Sequence, residues 1–348
     1  MQKSFVTISI LFISIITISY FAGSCRKETK TLLPATIPQV VPDGFPAPVY
    51  QFRDNPLTEQ GFQLGRKLFY DGRLSLDGGF PCASCHQQVA GFGTFEHDRS
   101  HGYNHSHTLR NAPVLFNLAW QKEFHWDGAF TSLYDEAQQP ITGHIEMAET
   151  FPGIIAKLET DNTYKKMFRN SFGDETITQD RILKALTQFT GYMTSANSKY
   201  DRVKKGTDSF TDAQERGYQL FKTNCASCHP EPLFSDYKFY NIGLPVNTDL
   251  NDFGKMLVTG NANDSLKFKV PTLRNVNISS NYMHDGRFNT LLQCVQHYVN
   301  GVQNGPTVDP RVANGILLND DEQRDVVAFL RTLTDSTFIT DDRYSKPQ

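Results

Sequence analysis

The chain has 348 residues, a formal net charge of -3 and 39% hydrophobic residues, which are ordinary values for a globular protein. A chain of this length favours two domains with separate cores over one compact unit. The nearly neutral charge provides no broad basic surface, which excludes nucleic acid as a predicted partner.

The N-terminus is predicted to be an export signal. Lys3 is followed by an apolar run over residues 5–21 and by three small residues that precede Cys25. This ending resembles a lipobox, although Ala22 stands where leucine is more usual. We therefore predict a lipoprotein-type signal peptide over residues 1–24, with a lipid on Cys25. An uncleaved membrane anchor is the alternative, because the run nearly has the length that spans a bilayer.

Both interpretations place the rest of the chain outside the cytoplasm. We expect a periplasmic protein that is held at a membrane by its lipid. Residues 25–45 are rich in proline and lack hydrophobic periodicity, so they are predicted to be a tether. The folded body is expected to begin near Pro46.

Helical spacing of apolar residues predicts two later helices. The two sets are Ile182, Leu183, Leu186, Phe189 and Met193, and Val326, Val327, Leu330 and Leu333. Capping boxes are predicted where Thr211 is followed by Gln214 and where Asn319 is followed by Glu322. The sequence lacks long alternation of apolar and polar residues, which predicts a mainly α-helical fold with long loops.

One pentapeptide, Cys-Ala-Ser-Cys-His, occurs twice, at residues 82–86 and 225–229. A matched Gly, Leu and Phe precede each copy in a segment that can form a helix: Gly65, Leu68 and Phe69, and then Gly217, Leu220 and Phe221. The repeat predicts two similar domains, over residues 46–206 and 207–348.

Cys-x-x-Cys-His is the attachment sequence for c-type haem, in which two thiols form thioethers and the histidine binds the iron. Two covalent haems are therefore predicted, with these residues: Cys82, Cys85 and His86 for the first, and Cys225, Cys228 and His229 for the second. A redox dithiol or a zinc site is the alternative. Zinc would need four ligands at one centre, whereas the two motifs lie in separate repeats. Of the remaining thiols, Cys294 is expected to be buried in an apolar helix.

Five short segments lie between and after the two haem motifs. In chain order they are Arg110-Asn111-Ala112-Pro113, Trp126-Asp127-Gly128, Ile145-Glu146-Met147, Val270-Pro271-Thr272-Leu273-Arg274-Asn275 and His284-Asp285-Gly286. This ordered set resembles the bacterial di-haem cytochrome c peroxidase and MauG family. The resemblance covers about residues 64–298 and implies two cytochrome c-like domains with one covalently bound haem each.

The resemblance implies an oxidoreductase of the cytochrome c peroxidase type, which reduces hydrogen peroxide to water with electrons from a c-type cytochrome or a cupredoxin. The haem at His86 would be the peroxidatic one. Glu146 would be its acid-base group, because a carboxylate must take one proton from bound peroxide and return it to the departing oxygen. Trp126 would lie between the haems and carry an electron. Considered alone, Glu146 is also consistent with a solvated helix residue beside Glu149, and Trp126 with simple core packing.

Two further sites are implied by the resemblance. The loop over residues 97–107 contains four histidines, and His101 is the best match to a histidine that caps the resting peroxidatic iron in many family peroxidases. A solvated or adventitious metal-binding loop is the alternative. A calcium ion would bind Asn111 and the backbone carbonyls of Ser279 and Asn281, since oxygen ligands suit a hard cation.

The second haem departs from the peroxidases of the family. They have a methionine ligand fourteen residues beyond the His-x-Gly motif, and here the count from His284 reaches Tyr298, as in MauG. A phenolate favours ferric iron, so we predict a lower reduction potential for this haem. His297 or Met283 is the alternative ligand.

Tyr298 also favours an alternative function. A MauG-like oxidase would modify residues of a partner protein through high-valent haems. A non-catalytic electron carrier, from a different class, also stays open. Family peroxidases often form dimers, so a homodimer is one expectation for the assembly.

Overall fold

Helices joined by long loops make up most of residues 34–348, the part of the chain that a computed structural model describes. The helices are α1 (Glu59–Phe69), α2 (Cys82–Cys85), α3 (Leu133–Glu136), α4 (Gln138–Thr142), α5 (Phe151–Glu159), α6 (Asn162–Phe172), α7 (Gln179–Tyr192), α8 (Lys199–Lys204), α9 (Asp212–Asn224), α10 (Met256–Thr259), α11 (Leu291–Gln296), α12 (Asp320–Arg331) and α13 (Ser336–Ile339). Single 3-10 turns lie at Gly72–Leu74, Gln88–Ala90, Tyr103–His105, Leu118–Trp120, Ala262–Asp264 and Val276–Ile278, and a π-helical turn at His297–Gly301. The predicted mainly helical fold with long loops is confirmed.

Two short strands, β1 (Phe239–Tyr240) and β2 (Phe268–Lys269), pair in antiparallel orientation. The predicted signal peptide and the lipid on Cys25 lie outside the described residues. No helix within residues 34–348 has both the length and the apolar character needed to cross a membrane.

Residues 34–45, the described end of the predicted tether, lie against the folded body. The Ile37 amide donates to the Leu57 carbonyl at 2.9 Å, and the Gln39 side-chain amide donates to the Tyr50 carbonyl at 3.0 Å. Further along, the Trp120 indole donates to the Pro46 carbonyl at 2.7 Å. The described part of the predicted tether therefore already makes hydrogen bonds to the body.

The two helices predicted from apolar spacing are α7 and α12. They bury Ile182, Leu183, Leu186 and Phe189 in α7, and Val326, Val327 and Leu330 in α12. Both predicted capping boxes are present at the starts of α9 and α12. Side-chain caps satisfy backbone amides of the first turn, which fixes where each helix begins.

The matched glycines of the repeat lie where two helices cross. A Cβ atom on Gly65 of α1 would lie 1.9 Å from the Ala185 carbonyl oxygen of α7, and one on Gly217 of α9 would lie 1.9 Å from the Asp325 carbonyl oxygen of α12. These distances are far inside van der Waals contact. Each glycine therefore lets the helix before a haem motif pack closely on the last long helix of its half.

Replacing Gly217 with Ala is expected to lower the free energy of unfolding by about 3 kcal/mol, because the new methyl group forces α9 away from α12. Denaturant unfolding of the haem-loaded protein measures this change. Gly305→Ala is the control, since its Cβ would make only an ordinary 3.5 Å contact with Val308. Equal stability of the two variants would contradict the close crossing.

Each half of the chain has its own hydrophobic core, and the C-terminal segment joins the first one. Phe338 and Tyr344 are buried among the aromatic residues of the first core. The Tyr70 hydroxyl donates to the Tyr344 carbonyl at 2.8 Å, and Arg343 pairs with Glu59 at 2.8 Å. The first core is thus built from both ends of the described chain. The predicted domain boundary, near residues 205–208, falls between α8 and α9 and stays a prediction.

Two arginines connect the halves, of which Arg274 is buried and Arg110 is largely buried. Arg274 binds both carboxylate oxygens of Asp201 in α8 at 2.8 Å. Arg110 pairs with Asp127 at 2.5 Å and with Asp252 of the second half at 2.6 Å. Because a buried charge without its partner is strongly destabilising, these pairs hold the two halves in one arrangement.

Candidate active site

The first Cys-x-x-Cys-His motif lies on the wall of a cavity of about 350 Å³. Its cysteines form the single turn of α2, and Cys82, Cys85 and His86 all face this space. Apolar side chains such as Phe69 and Leu115 line another part of the wall. The cavity therefore combines two thiols and an imidazole with an apolar surface.

The second motif follows α9 and lines a separate cavity of about 210 Å³. Cys225, Cys228 and His229 contribute to its wall, together with residues of α11 and α12. The two motifs therefore serve different cavities, as the repeat predicts.

Hydrogen bonds fix the orientation of both histidine rings. Nδ1 of His86 donates to the Phe92 carbonyl at 3.0 Å, and Nδ1 of His229 donates to the Phe234 carbonyl at 3.0 Å. A carbonyl can only accept, so the proton lies on Nδ1 and Nε2 keeps its lone pair. Burial lowers the pKa of both imidazoles, which favours the neutral form that binds metal. The residues of both sites fit a covalent haem.

Glu146 lines the same cavity as His86 and lies in the turn after α4, rather than in a helix. Burial raises the pKa of its carboxyl group, against smaller opposing effects of His125 and a hydrogen bond from Gln139. Glu149 is different, because it forms an ion pair with Lys157 and accepts a hydrogen bond from the Thr150 amide. Glu149 therefore has structural partners, while Glu146 is a half-buried carboxyl group at the cavity wall.

Trp126 lies between the two cavities and lines both of them. Its indole donates to the Asn111 carbonyl at 2.8 Å. Its own carbonyl accepts from the Lys269 amide of β2 at 2.7 Å, and the adjacent Asp127 is held by Arg110. The first half thus holds the indole side chain, and the second half holds the backbone of this residue.

The histidine loop brings three of its four imidazoles together. The ring of His101 lies 4.6 Å from that of His97 and 4.4 Å from that of His107, measured between centroids. His101 is exposed and lines the first cavity, whereas His105 does not. Over residues 34–348, no group of three or more His, Cys, Asp or Glu side chains is arranged to hold a metal ion.

The three residues predicted to bind calcium line one small cavity of about 120 Å³ beside Trp126. The side-chain amide of Asn111 donates to the Asp98 carbonyl at 2.9 Å. The Ser279 hydroxyl donates to the Asn281 carbonyl at 2.8 Å, which engages one of the predicted ligand oxygens. The fold therefore brings Asn111, Ser279 and Asn281 together.

Two candidate sixth ligands, Tyr298 and Met283, line the second cavity. Burial raises the pKa of Tyr298 far above its usual range. His297 is not among the lining residues, and its Nε2 donates to the Ile242 carbonyl at 2.9 Å. Cys294 lies half-buried in α11 and also lines this cavity, and burial raises the pKa of its thiol to about 12.

Sequence reasoning missed three residues near the candidate site. His125 and Glu136 line the first cavity, and their side chains lie 3.4 Å apart. Lys269 lines the second cavity and is almost fully buried. Only His125 carried a signal, through its position directly before Trp126.

Comparisons with known proteins agree with this architecture. A family model described as di-haem cytochrome c peroxidase matches residues 59–209, and a cytochrome c model matches residues 214–334. The methylamine utilization protein MauG of Methylorubrum extorquens is 34% identical over 296 residues, which cover 84% of this chain and 82% of the relative. The chain belongs to the di-haem cytochrome c peroxidase and MauG family.

Both MauG proteins and cytochrome c peroxidases are among its relatives. Cytochrome c551 peroxidase of Nitrosomonas europaea is 34% identical over 276 residues, which cover 78% of this chain and 79% of the relative. The crystal structure of a MauG-like protein associated with microbial copper homeostasis superposes with a TM-score of 0.81 at 31% identity, and covers 88% of this chain and 98% of that one. Family membership makes this chain an oxidoreductase with two covalently bound haems in two cytochrome c-type domains.

Proposed function

We propose that this di-haem enzyme reduces hydrogen peroxide to water in the cavity of His86. Electrons from a c-type cytochrome or a cupredoxin enter at the haem of His229. The observation that carries the proposal is the half-buried Glu146 carboxyl group, with its raised pKa, on the wall of the cavity that holds Cys82, Cys85 and His86.

The haem in this cavity supplies the iron that binds peroxide and receives electrons. Glu146 would take a proton from one peroxide oxygen and return it to the other as the O–O bond breaks. The complete reaction consumes one peroxide, two electrons and two protons from solvent and yields two waters. His86 holds its orientation throughout, because the Phe92 carbonyl fixes its ring.

Trp126 is proposed to carry electrons between the two haems. An indole that lines both cavities shortens the path between them, and its hydrogen bond to Asn111 keeps it in place. Replacing Trp126 with Phe should therefore slow electron transfer from the second haem to the first, measured by stopped-flow absorbance. An unchanged rate would remove Trp126 from the path.

The functional test mixes the haem-loaded protein with hydrogen peroxide, once fully oxidised and once half-reduced, in the presence of a reduced c-type cytochrome. Rapid donor oxidation that depends on peroxide is the expected result. Failure to consume peroxide with any reduced donor would refute the proposal. No spectral change at all would leave only a non-catalytic electron carrier.

A second candidate is a MauG-like oxidase that acts on a partner protein. Tyr298 on the wall of the second cavity favours it, because a phenolate ligand stabilises oxidised iron. Slow turnover with a long-lived spectral change after peroxide addition to the fully oxidised protein would support this function over the peroxidase.

Reversible capping of the first iron by His101 is also proposed, since this side chain lines the first cavity. Binding of His101 predicts a six-coordinate spectrum of the oxidised first haem that is lost on half-reduction. A five-coordinate spectrum in both states would exclude it.

Calcium binding at Asn111, Ser279 and Asn281 is proposed from their shared cavity. Elemental analysis of the purified protein would detect the ion, and its absence from protein prepared in calcium would exclude the site.

Export and lipid attachment at Cys25 are proposed from sequence alone. Mass spectrometry of the membrane fraction would reveal the lipid, and an unprocessed N-terminus there would contradict it.

A further inference from the structure

Lys269 is a buried cation beside the segment that holds Trp126. Only 8% of the residue is exposed. Its Nζ donates to the Gln121 side-chain oxygen at 2.8 Å and to the Glu123 carbonyl at 2.7 Å. Its backbone amide donates to the Trp126 carbonyl at 2.7 Å. One residue of β2 therefore holds the segment 121–126 at both ends.

The location of Lys269 matters for the second haem. The residue lines the second cavity and the small cavity between the halves, with Trp126 as a common neighbour, and is absent from the wall of the first cavity. A positive charge in a poorly solvated place stabilises an added electron nearby, because water screens it weakly. This charge therefore favours the reduced form of the iron in the second cavity.

We propose that Lys269 is a positioning residue for electron transfer, which fixes the Trp126 segment against β2 and whose charge raises the reduction potential of the second haem. The inference rests on the proposed function, in which electrons enter at that haem. Its electrostatic effect opposes the lowering expected from Tyr298, so the lysine keeps the second haem reducible by the electron donor.

The charge of Lys269 depends on pH. Burial lowers its pKa to about 8, while the carboxylates of Glu136, Glu123 and Asp127 act against this shift and Lys255 adds to it. The ammonium is therefore charged below about pH 8 and neutral above it. The potential of the second haem should fall as the pH rises through this value, because the favourable positive charge is lost.

The test is a spectroelectrochemical titration of the haem-loaded protein at pH 6.5 and at pH 9.5 in wild type and in three variants: Lys269→Met, Lys269→Arg and Lys255→Met. At pH 6.5 Lys269→Met is expected to shift the reduction equilibrium of the second haem about tenfold toward the oxidised form, which corresponds to about 59 mV. Wild type at pH 9.5 should resemble this variant. Lys269→Arg should lose the step between the two pH values, since a guanidinium stays charged.

Lys255→Met is the matched control. Lys255 also holds Glu123, through its carboxylate at 2.9 Å, but it lies outside both haem cavities. At pH 6.5 this control should keep the wild-type potential. Its pH step should lie at a higher pH than in wild type, because the loss of Lys255 removes a charge that lowers the pKa of Lys269. Equal potentials of Lys269→Met and wild type at pH 6.5, or an equal shift in Lys255→Met, would overturn the inference.

If Lys269→Met fails to fold, the comparison of wild type with Lys269→Arg still tests the inference. A change in the potential of the second haem between pH 6.5 and pH 9.5 that persists in Lys269→Arg would come from another titrating group. The titration uses no peroxide, so a failure of the proposed function would be seen only in the stopped-flow experiment.

Discussion

Replacing Glu146 with Gln is expected to lower the rate of peroxide-dependent donor oxidation by about 10²- to 10⁴-fold, the usual contribution of a positioned acid-base group. The amide keeps the size of the side chain but cannot take a proton from peroxide. Stopped-flow oxidation of a reduced c-type cytochrome measures the loss. Glu159→Gln is the control, because Glu159 ends α5 as an exposed residue.

The pH dependence of the wild-type rate gives a second readout of the same residue. Glu146 must be ionised to accept the proton, and burial raises its pKa. The rate should therefore increase with pH through a range above that of an ordinary glutamate, and Glu146→Gln should lose this rise. A variant that kept both the wild-type rate and the rise would exclude Glu146 as the acid-base group.

Replacing Tyr298 with Met is expected to raise the reduction potential of the second haem by a few tenths of a volt, because axial ligands spread haem potentials over about 0.8 V. A thioether is a soft ligand that favours ferrous iron, whereas a phenolate favours ferric iron. Spectroelectrochemical titration measures the change.

Met283 provides the comparison, because it lines the same cavity. If Tyr298 is the ligand, Met283→Leu should leave the potential close to that of wild type. The reverse result, with Tyr298→Phe unchanged and Met283→Leu altered, would make Met283 the ligand and would remove the main support for a MauG-like function.

Local sequence patterns were sufficient for the helices and for the haem motifs. The apolar spacing of α7 and α12 reflects burial of one helix face, and capping residues mark helix starts, so both can be read from neighbouring residues. The matched glycines were visible in the sequence as part of the repeat, but the structural reason for a glycine at these positions was not. Only the fold shows that Gly65 and Gly217 each lie against a carbonyl of a helix more than 100 residues away.

Residues that act through distant contacts were harder to predict. Lys269 has no unusual neighbours in sequence, and its buried ammonium group donates to Gln121 and Glu123 of the other half. Glu136 lies in an ordinary helical segment, and only the folded chain brings it to His125. Charged residues are usually exposed, so a single sequence gives no reason to place them inside.

The course of the C-terminal segment sets the order in which the halves can be completed. Phe338 and Tyr344 fill part of the first core, so a growing chain cannot finish this core until residue 344 has been made. The half that is synthesised first is therefore completed last. Loss of a short C-terminal piece, through a premature stop or proteolysis, would weaken the first core and with it the cavity of His86, some 250 residues upstream, more than the core of the second half.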